Sequence, residues 1–396
     1  MAVPDYHRKI TIAALTVIPV LVMVMAFIFI FLPFYAVNGC PDVNLSPVQK
    51  EDNSSWNIAV VQGGHHQTYP VYLKNFAAGI AEYGWIEGYF TEDTVNLNST
   101  PAVLDYITEN CRSDYLNFRK EHYFSSEWNN TLRAGNLKDL KSLSDDGEID
   151  LVIALGTWAG TDCKSLSADI PVIVMGSVNP AATGIVPDSG VYLPGNIYTV
   201  YDSDFYYDQF RLYYYIFRFE TIGIAYDNST PESRSYSHIE DLRRFSDDYG
   251  VEIIEYYTVD DHPDIEMSRR SVYDAYKYLA PVTDALIITT QNGVSPLNAE
   301  EFLKPLTENR VPSFAVDDPE LVRYGVLMSF AEPDYEYLGR RYSDAFSRIL
   351  NGCEISNLSA EYRRDSSIII NLKTAEEIGF EVPPGLIEAS DVIYTD

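Results

Sequence analysis

The chain has 396 residues and a formal net charge of −30, with a pI of about 4.4. That balance excludes a nucleic-acid binder, which needs a basic face, and a protein resting on an anionic bilayer through basic patches. Apolar residues at 46% and charged residues at 22% are those of a folded protein, and the length accommodates two domains.

In chain order, the first feature is the uncharged apolar run Ile10–Val37, preceded by Arg8 and Lys9. At 1.5 Å per residue it would reach about 40 Å as a helix, enough to cross a bilayer core of roughly 30 Å. Basic residues before it place the N-terminus inside and everything after it outside. Two readings of residues 1–41 stay open: an uncleaved anchor, or a secretion signal. Val37-Asn38-Gly39-Cys40 resembles the lipobox of bacterial lipoproteins, in which the cysteine carries the lipid; Gly39 fits that pattern and Asn38 does not. Residues 42–56 read as a flexible tether. Cys111, Cys163 and Cys353 are far apart and lack CxxC spacing, so no zinc site is expected. One disulfide with one free thiol suits an extracytoplasmic chain, and spacing does not determine the pairing.

From Asn57 onward, short apolar runs alternate with amphipathic segments. Ile58–Val61 reads as a strand, and Tyr72–Tyr83 as a helix with apolar positions at the 3.6 period. Residues 100–141 read as a long polar helical region. Leu151–Leu155 and Val172–Met175 are continuous apolar strands of the kind buried in parallel sheets. The alternation then restarts: strands at 222–226, 252–257, 285–290 and 312–316, with helices at 235–249, 268–279 and 298–309. The fold class expected is α/β, two doubly wound parallel-sheet lobes joined by a hinge near 196–201 and preceded by one hydrophobic helix. Lobe I is 57–197, with part of 318–360 returning to it; lobe II is 198–317; 361–396 packs near the hinge. The series Tyr206, Phe210, Tyr213 or Tyr214, Phe217 has helical spacing and reads as a core stripe rather than a ligand surface.

Several stretches resemble the tryptophan/tyrosine-type family of ABC-transporter substrate-binding proteins. They are Ala78-Gly79 through Gly88, Asp150–Thr157, and Ile170–Val174 with Asn179-Pro180 and Thr183–Val186. Further on come Asp284–Leu286 with Asn292, Tyr335–Gly339, Arg348–Gly352, and Ile369–Ala375 with Gly379. The resemblance implies a type I periplasmic-binding-protein-like fold. It also implies an extracytoplasmic receptor that closes on a small polar or amino-acid-like solute, including aromatic amino acids. Its implied partners are a membrane permease and an ATPase. No cofactor is expected, and no GxSxG, HExxH, Walker or Rossmann pattern points to an enzyme. The competing function is a ligand sensor acting on a separate signalling partner. Residues 100–147, which are longer than in the family, and the Tyr-rich stretch 198–219 depart from its pattern.

Open α/β sheets bind ligands beyond the carboxyl ends of their strands, where helix N-termini favour anions. That rule selects Gln62, Gly63, Gly64 and His65; Gly156, Thr157 and Trp158; Ser177 and Asn179; Tyr226, Asp227 and Asn228; Gln291 and Asn292; and Asp317. Backbone N–H groups and the Thr157 and Ser177 hydroxyls suit a carboxylate, Asp227 or Asp317 an ammonium, and Trp158, Tyr226 or Tyr69 an aromatic body. Each has a plainer reading: Gly63-Gly64 as a tight turn, Thr157 and Ser177 as helix caps, Asp227-Asn228 as an Asx turn, and Trp158 as packing. A metal pair at His65-His66 is disfavoured, because adjacent residues rarely converge on one ion.

Overall fold

The computed structural model describes residues 44–90, 97–187, 195–260, 264–330, 334–362 and 367–395. The apolar run and Cys40 lie outside them. Among the described residues no helix is long and apolar enough to cross a membrane. The chain divides into two compact units: the described parts of Ala36–Asp202 with Pro333–Arg364, and those of Ser203–Glu332 with Asp365–Asp396.

The first unit holds five parallel strands: β1 (Trp56–Gln62), β2 (Leu116–Ser125), β3 (Leu151–Leu155), β4 (Val172–Met175) and β5 (Ile197–Thr199), in the order β2-β1-β3-β4-β5. β3 and β4 are buried along their whole length, as continuous apolar runs between helical layers should be. The long insertion is not one helical region. It folds as a helix (Thr100–Asn110), the edge strand β2 and a helix (Asn130–Asp145). Period-two alternation is absent from β2 because the strand bulges. Ile58 pairs with Phe118, yet Val60 pairs with Tyr123, so extra residues loop out and break the pattern.

The helix Tyr335–Leu350 returns to this unit and packs on the helix Tyr69–Glu82 through small residues. A β-carbon on Gly79 would lie 2.2 Å from Ser343 Oγ, and one on Gly339 would lie 2.6 Å from Asn75. Ser343 Oγ lies 2.9 Å from the Phe76 carbonyl and 2.7 Å from that of Gly339. Residues 44–55, expected as a tether, have no regular structure but are held on this unit. Lys50 pairs with Asp150 at 2.8 Å, and the Trp56 indole donates to the Val48 carbonyl at 2.8 Å.

The second unit holds seven strands: β6 (Thr221–Tyr226), β7 (Glu252–Tyr257), β8 (Ala285–Ile288), β9 (Ser313–Ala315), β10 (Met328–Ser329), β11 (Ile369–Asn371) and β12 (Val392–Tyr394). Their order is β12-β11-β10-β9-β8-β6-β7, parallel except between β10 and β11. The last stretch of the chain thus supplies two strands to this sheet. The aromatic stripe lies on the helix Phe205–Phe217. Phe210 and Tyr213 are fully buried, and Tyr213 stacks between Phe314 and Phe330 at 3.9 and 4.6 Å.

Candidate functional site

In the first unit, the carboxyl ends of β1, β3 and β4 meet. After β1 the chain turns through Gly63 and Gly64, both buried. After β3, Gly156 takes φ +83° and starts the helix Gly156–Cys163, whose first turn has no side-chain cap. Thr157 is therefore not a helix cap. Its hydroxyl faces that of Ser177, after β4, at 3.3 Å, and both are buried. Tyr69 and Tyr72 close the same corner. A β-carbon on Gly156 would stand 1.8 Å from the Tyr69 hydroxyl, and one on Gly176 2.8 Å from the Tyr72 ring. Gln62 is buried, its Nε2 donating to Ser125 Oγ at 3.2 Å while its Oε1 has no partner.

Trp158 points into this region without standing free. The Arg133 guanidinium lies 4.4 Å over its ring and is itself bound to Asp162 at 2.8 Å. Trp128 meets Trp158 edge-to-face, with centroids 5.4 Å apart at 84°. The Trp128 indole N–H donates to the His65 carbonyl at 3.2 Å, and its backbone N–H to the Gly63 carbonyl at 2.8 Å. Trp128 is 41% exposed. Glu127 and Trp128 both adopt left-handed backbone, φ +48° and +54°, which aims the indole back over the glycine turn. The strand-end rule would have selected Trp128 had β2 been recognised, since it sits three residues beyond that strand. His65 is exposed and contributes its carbonyl to this contact. Asn179 Oδ1 accepts the Ala182 N–H at 3.0 Å, a turn that orders the loop after β4.

The second unit's candidates are committed to neighbouring residues of that unit. Asp227 accepts the N–H groups of Ser229 and Asp260 at 2.6 and 2.9 Å, and Asn228 Oδ1 accepts from Arg234 at 2.9 Å. This is the Asx-turn arrangement. Gln291 donates to the Ala225 carbonyl and Thr289 and accepts from Thr258, all within 3.0 Å. Asn292 is bound to Asp260 through its backbone N–H and its side chain. Tyr226, the last residue of β6, donates its hydroxyl to Glu255 of β7 at 2.8 Å; burial and the Glu255 carboxylate together raise its phenol. Asp317, after β9, accepts from the Tyr206 hydroxyl at 2.8 Å and pairs with His238, whose ring stacks on Tyr206 with centroids 3.4 Å apart.

The sequence profile of the family described as ABC transporter substrate binding protein matches residues 114–393. The chain belongs to that family. No curated protein matches the sequence. Solved structures share the fold. A conserved domain protein from Vibrio cholerae O1 biovar El Tor is 18% identical, covers 86% of this chain and 100% of its own, and superimposes with a TM-score of 0.63. An ABC domain in complex with L-Trp from Streptococcus pneumoniae has the same identity and coverage and a TM-score of 0.62. A ligand-free, open substrate-binding protein with adhesive properties from Clostridium difficile, again at 18%, 86% and 100%, gives 0.57. A member of this substrate-binding family works outside the cytoplasm and binds a solute rather than transforming it. The profile starts at residue 114, so it takes in Trp128, Thr157, Trp158 and Ser177 but not the glycine turn after β1.

Proposed function

We propose that this chain is the solute receptor of an ABC importer, that the apolar run Ile10–Val37 or a lipid on Cys40 holds it at the membrane, and that a permease and an ATPase are its partners. The proposed ligand is a small zwitterion with an aromatic or flat apolar body, bound on the first unit. One observation carries this reading. The Thr157–Ser177 hydroxyl pair, the uncapped first turn of the helix Gly156–Cys163 and the exposed indole of Trp128 lie beyond the carboxyl ends of β3, β4 and β2 of one parallel sheet. A carboxylate suits the helix N-terminus and the hydroxyls, and a ring suits the indole.

A thermal-shift screen of the purified chain against amino acids, nucleosides, organic acids, sugars and inorganic ions tests it. A ligand that binds only the folded state raises the melting temperature. The expected hit is an aromatic amino acid or a close relative. A screen in which only sugars or inorganic ions shift the transition would overturn the assignment.

A further inference from the structure

We infer that Asn53, Asn129 and Asn357 carry N-linked glycans. Six of the chain's 21 asparagines begin an Asn-x-Ser/Thr motif, about twice what 52 serines and threonines in 396 residues would place by chance. They are Asn44, Asn53, Asn98, Asn129, Asn228 and Asn357. The modification belongs to exported chains, and members of this family work outside the cytoplasm.

The side-chain nitrogens divide the asparagines into two sets. Among the described residues, nine asparagines outside the motifs donate Nδ2 to a backbone carbonyl, Asn75, Asn136, Asn298 and Asn371 among them. None of the six motif asparagines makes such a bond to a described residue. Nδ2 is the atom a glycan takes. The fold uses it for packing elsewhere and leaves it uncommitted where the motif stands.

Three of the six are disfavoured by a proline directly after the hydroxyl residue: Pro47, Pro101 and Pro231. The residue before a proline is held extended, which opposes the turn that brings its hydroxyl towards the amide. The other three have no such proline, and all three asparagines are exposed. Asn53 sits in a turn at φ +63°, a conformation that asparagine adopts more readily than most residues. Asn129 Oδ1 accepts the N–H groups of Thr131 and Leu132 at 2.9 and 3.1 Å, capping the helix Asn130–Asp145. With Oδ1 turned to the helix, Nδ2 faces away from it. A glycan substitutes Nδ2 and leaves Oδ1, so cap and glycan coexist. Asn357 ends the short turn Ile355–Asn357. Its Ser359 is buried in the fold, so this motif is read before the chain folds.

The donor is a glycan carried on a lipid phosphate, and the catalyst a membrane oligosaccharyltransferase. Asn Nδ2 attacks the sugar C1; the Nδ2–C1 bond forms and the C1–O bond to the phosphate breaks. The lipid phosphate leaves as the anion, and the amide proton passes to a carboxylate of the transferase. The inference concerns covalent chemistry at the surface and stands apart from the ligand assignment.

The test uses the full chain purified in detergent from membranes of its own host, digested and mapped by fragmentation that retains sugars. The peptides holding Asn53, Asn129 and Asn357 should each carry a sugar mass placed on the asparagine. Asn53→Gln and Asn357→Gln should each remove one glycan increment from the intact mass. Asn129→Gln would also disturb the helix cap, so the hydroxyl is changed instead. Thr131→Ala should abolish the glycan on Asn129 with the cap in place, and Thr131→Ser should keep it. Bare peptides at all three positions, sugar on serine or threonine hydroxyls alone, glycans confined to the proline-followed motifs, or an Asn129 glycan that survives Thr131→Ala would each overturn the inference. Solute binding measured on the same preparation judges the receptor reading separately.

Discussion

The indole of Trp128 lies across Gly64 so closely that a β-carbon there would stand 2.6 Å from the ring. A glycine is required because the space belongs to the tryptophan, not because of the backbone angle. Gly64→Ala should push the indole away and weaken ligand binding at least tenfold, which is about 1.4 kcal/mol. Melting temperature should move little, since Trp128 is 41% exposed. Calorimetric titration with the screening hit, alongside a melt, separates the two effects. Unchanged affinity would detach Trp128 from the site.

The two tryptophans should differ in how they fail. Trp128→Ala removes the exposed ring and should reduce affinity with the fold intact. Trp158→Ala removes the platform under Trp128 and frees the Arg133 guanidinium stacked on it, a contact of roughly 0.5–2 kcal/mol. It should reduce both affinity and melting temperature. Equal effects of the two substitutions on the melt would contradict this division of labour.

Gly156 combines a left-handed backbone with a neighbour in the way. Its φ is +83°, and the Tyr69 hydroxyl lies 1.8 Å from the point a β-carbon would occupy. Left-handed backbone alone costs about 1–3 kcal/mol for a residue with a side chain. Gly156→Ala should therefore lower unfolding free energy by at least that much in a urea titration. Tyr69→Phe in the same background should recover part of the loss, and a double variant no better than the single one would remove the hydroxyl as the obstacle.

Burial lifts the Asp318 carboxyl, with Glu320 and Asp317 adding to the rise, from the usual 3.8 to about 6. A carboxyl raised on folding stabilises the fold while protonated, so its contribution is complete below about pH 4 and is lost as pH climbs through 6. Partial exposure limits the swing to about 2 kcal/mol. Asp318→Asn should hold that stability at pH 7 and flatten the melting temperature between pH 4 and 7. An unchanged slope would place the pH dependence elsewhere.

Asp317 anchors the Tyr206 hydroxyl and His238. Asp317→Asn weakens two contacts to a charged acceptor, together about 2 kcal/mol, or roughly 5 °C in the melt. Solute affinity measured well below the transition should be unchanged. A large loss of affinity without a loss of stability would return Asp317 to the binding residues.

Much of the fold was legible because its strands are uninterrupted apolar runs. Leu151–Leu155 and Val172–Met175 are read directly, and the 3.6 period of Leu73, Phe76, Ala77 and Ile80 marks their neighbouring helix. β2 was not legible, since its bulge destroys the alternation that announces a half-buried strand, and Trp128 was lost with it. The strand-end rule found Gly63, Gly64, Thr157, Trp158 and Ser177 where the structure groups them. It also selected Asp227, Gln291 and Asn292, which sit at strand ends but spend their hydrogen bonds on neighbouring residues: Asp227 on Ser229 and Asp260, Gln291 on Ala225, Thr258 and Thr289, and Asn292 on Asp260. Position along the chain fixes which end of a strand a residue occupies; it does not reveal whether a neighbour already holds the polar atoms.

The interlock of Gly79 with Ser343, and of Gly339 with Asn75, has a consequence for synthesis. The helix that completes the first unit is made only after nearly all of the second, and the second sheet waits for strands from 367–395. The first unit therefore leaves apolar strands such as β3 and β4 without their covering helix until Tyr335–Leu350 has been made, and the second leaves its sheet incomplete until the final residues arrive.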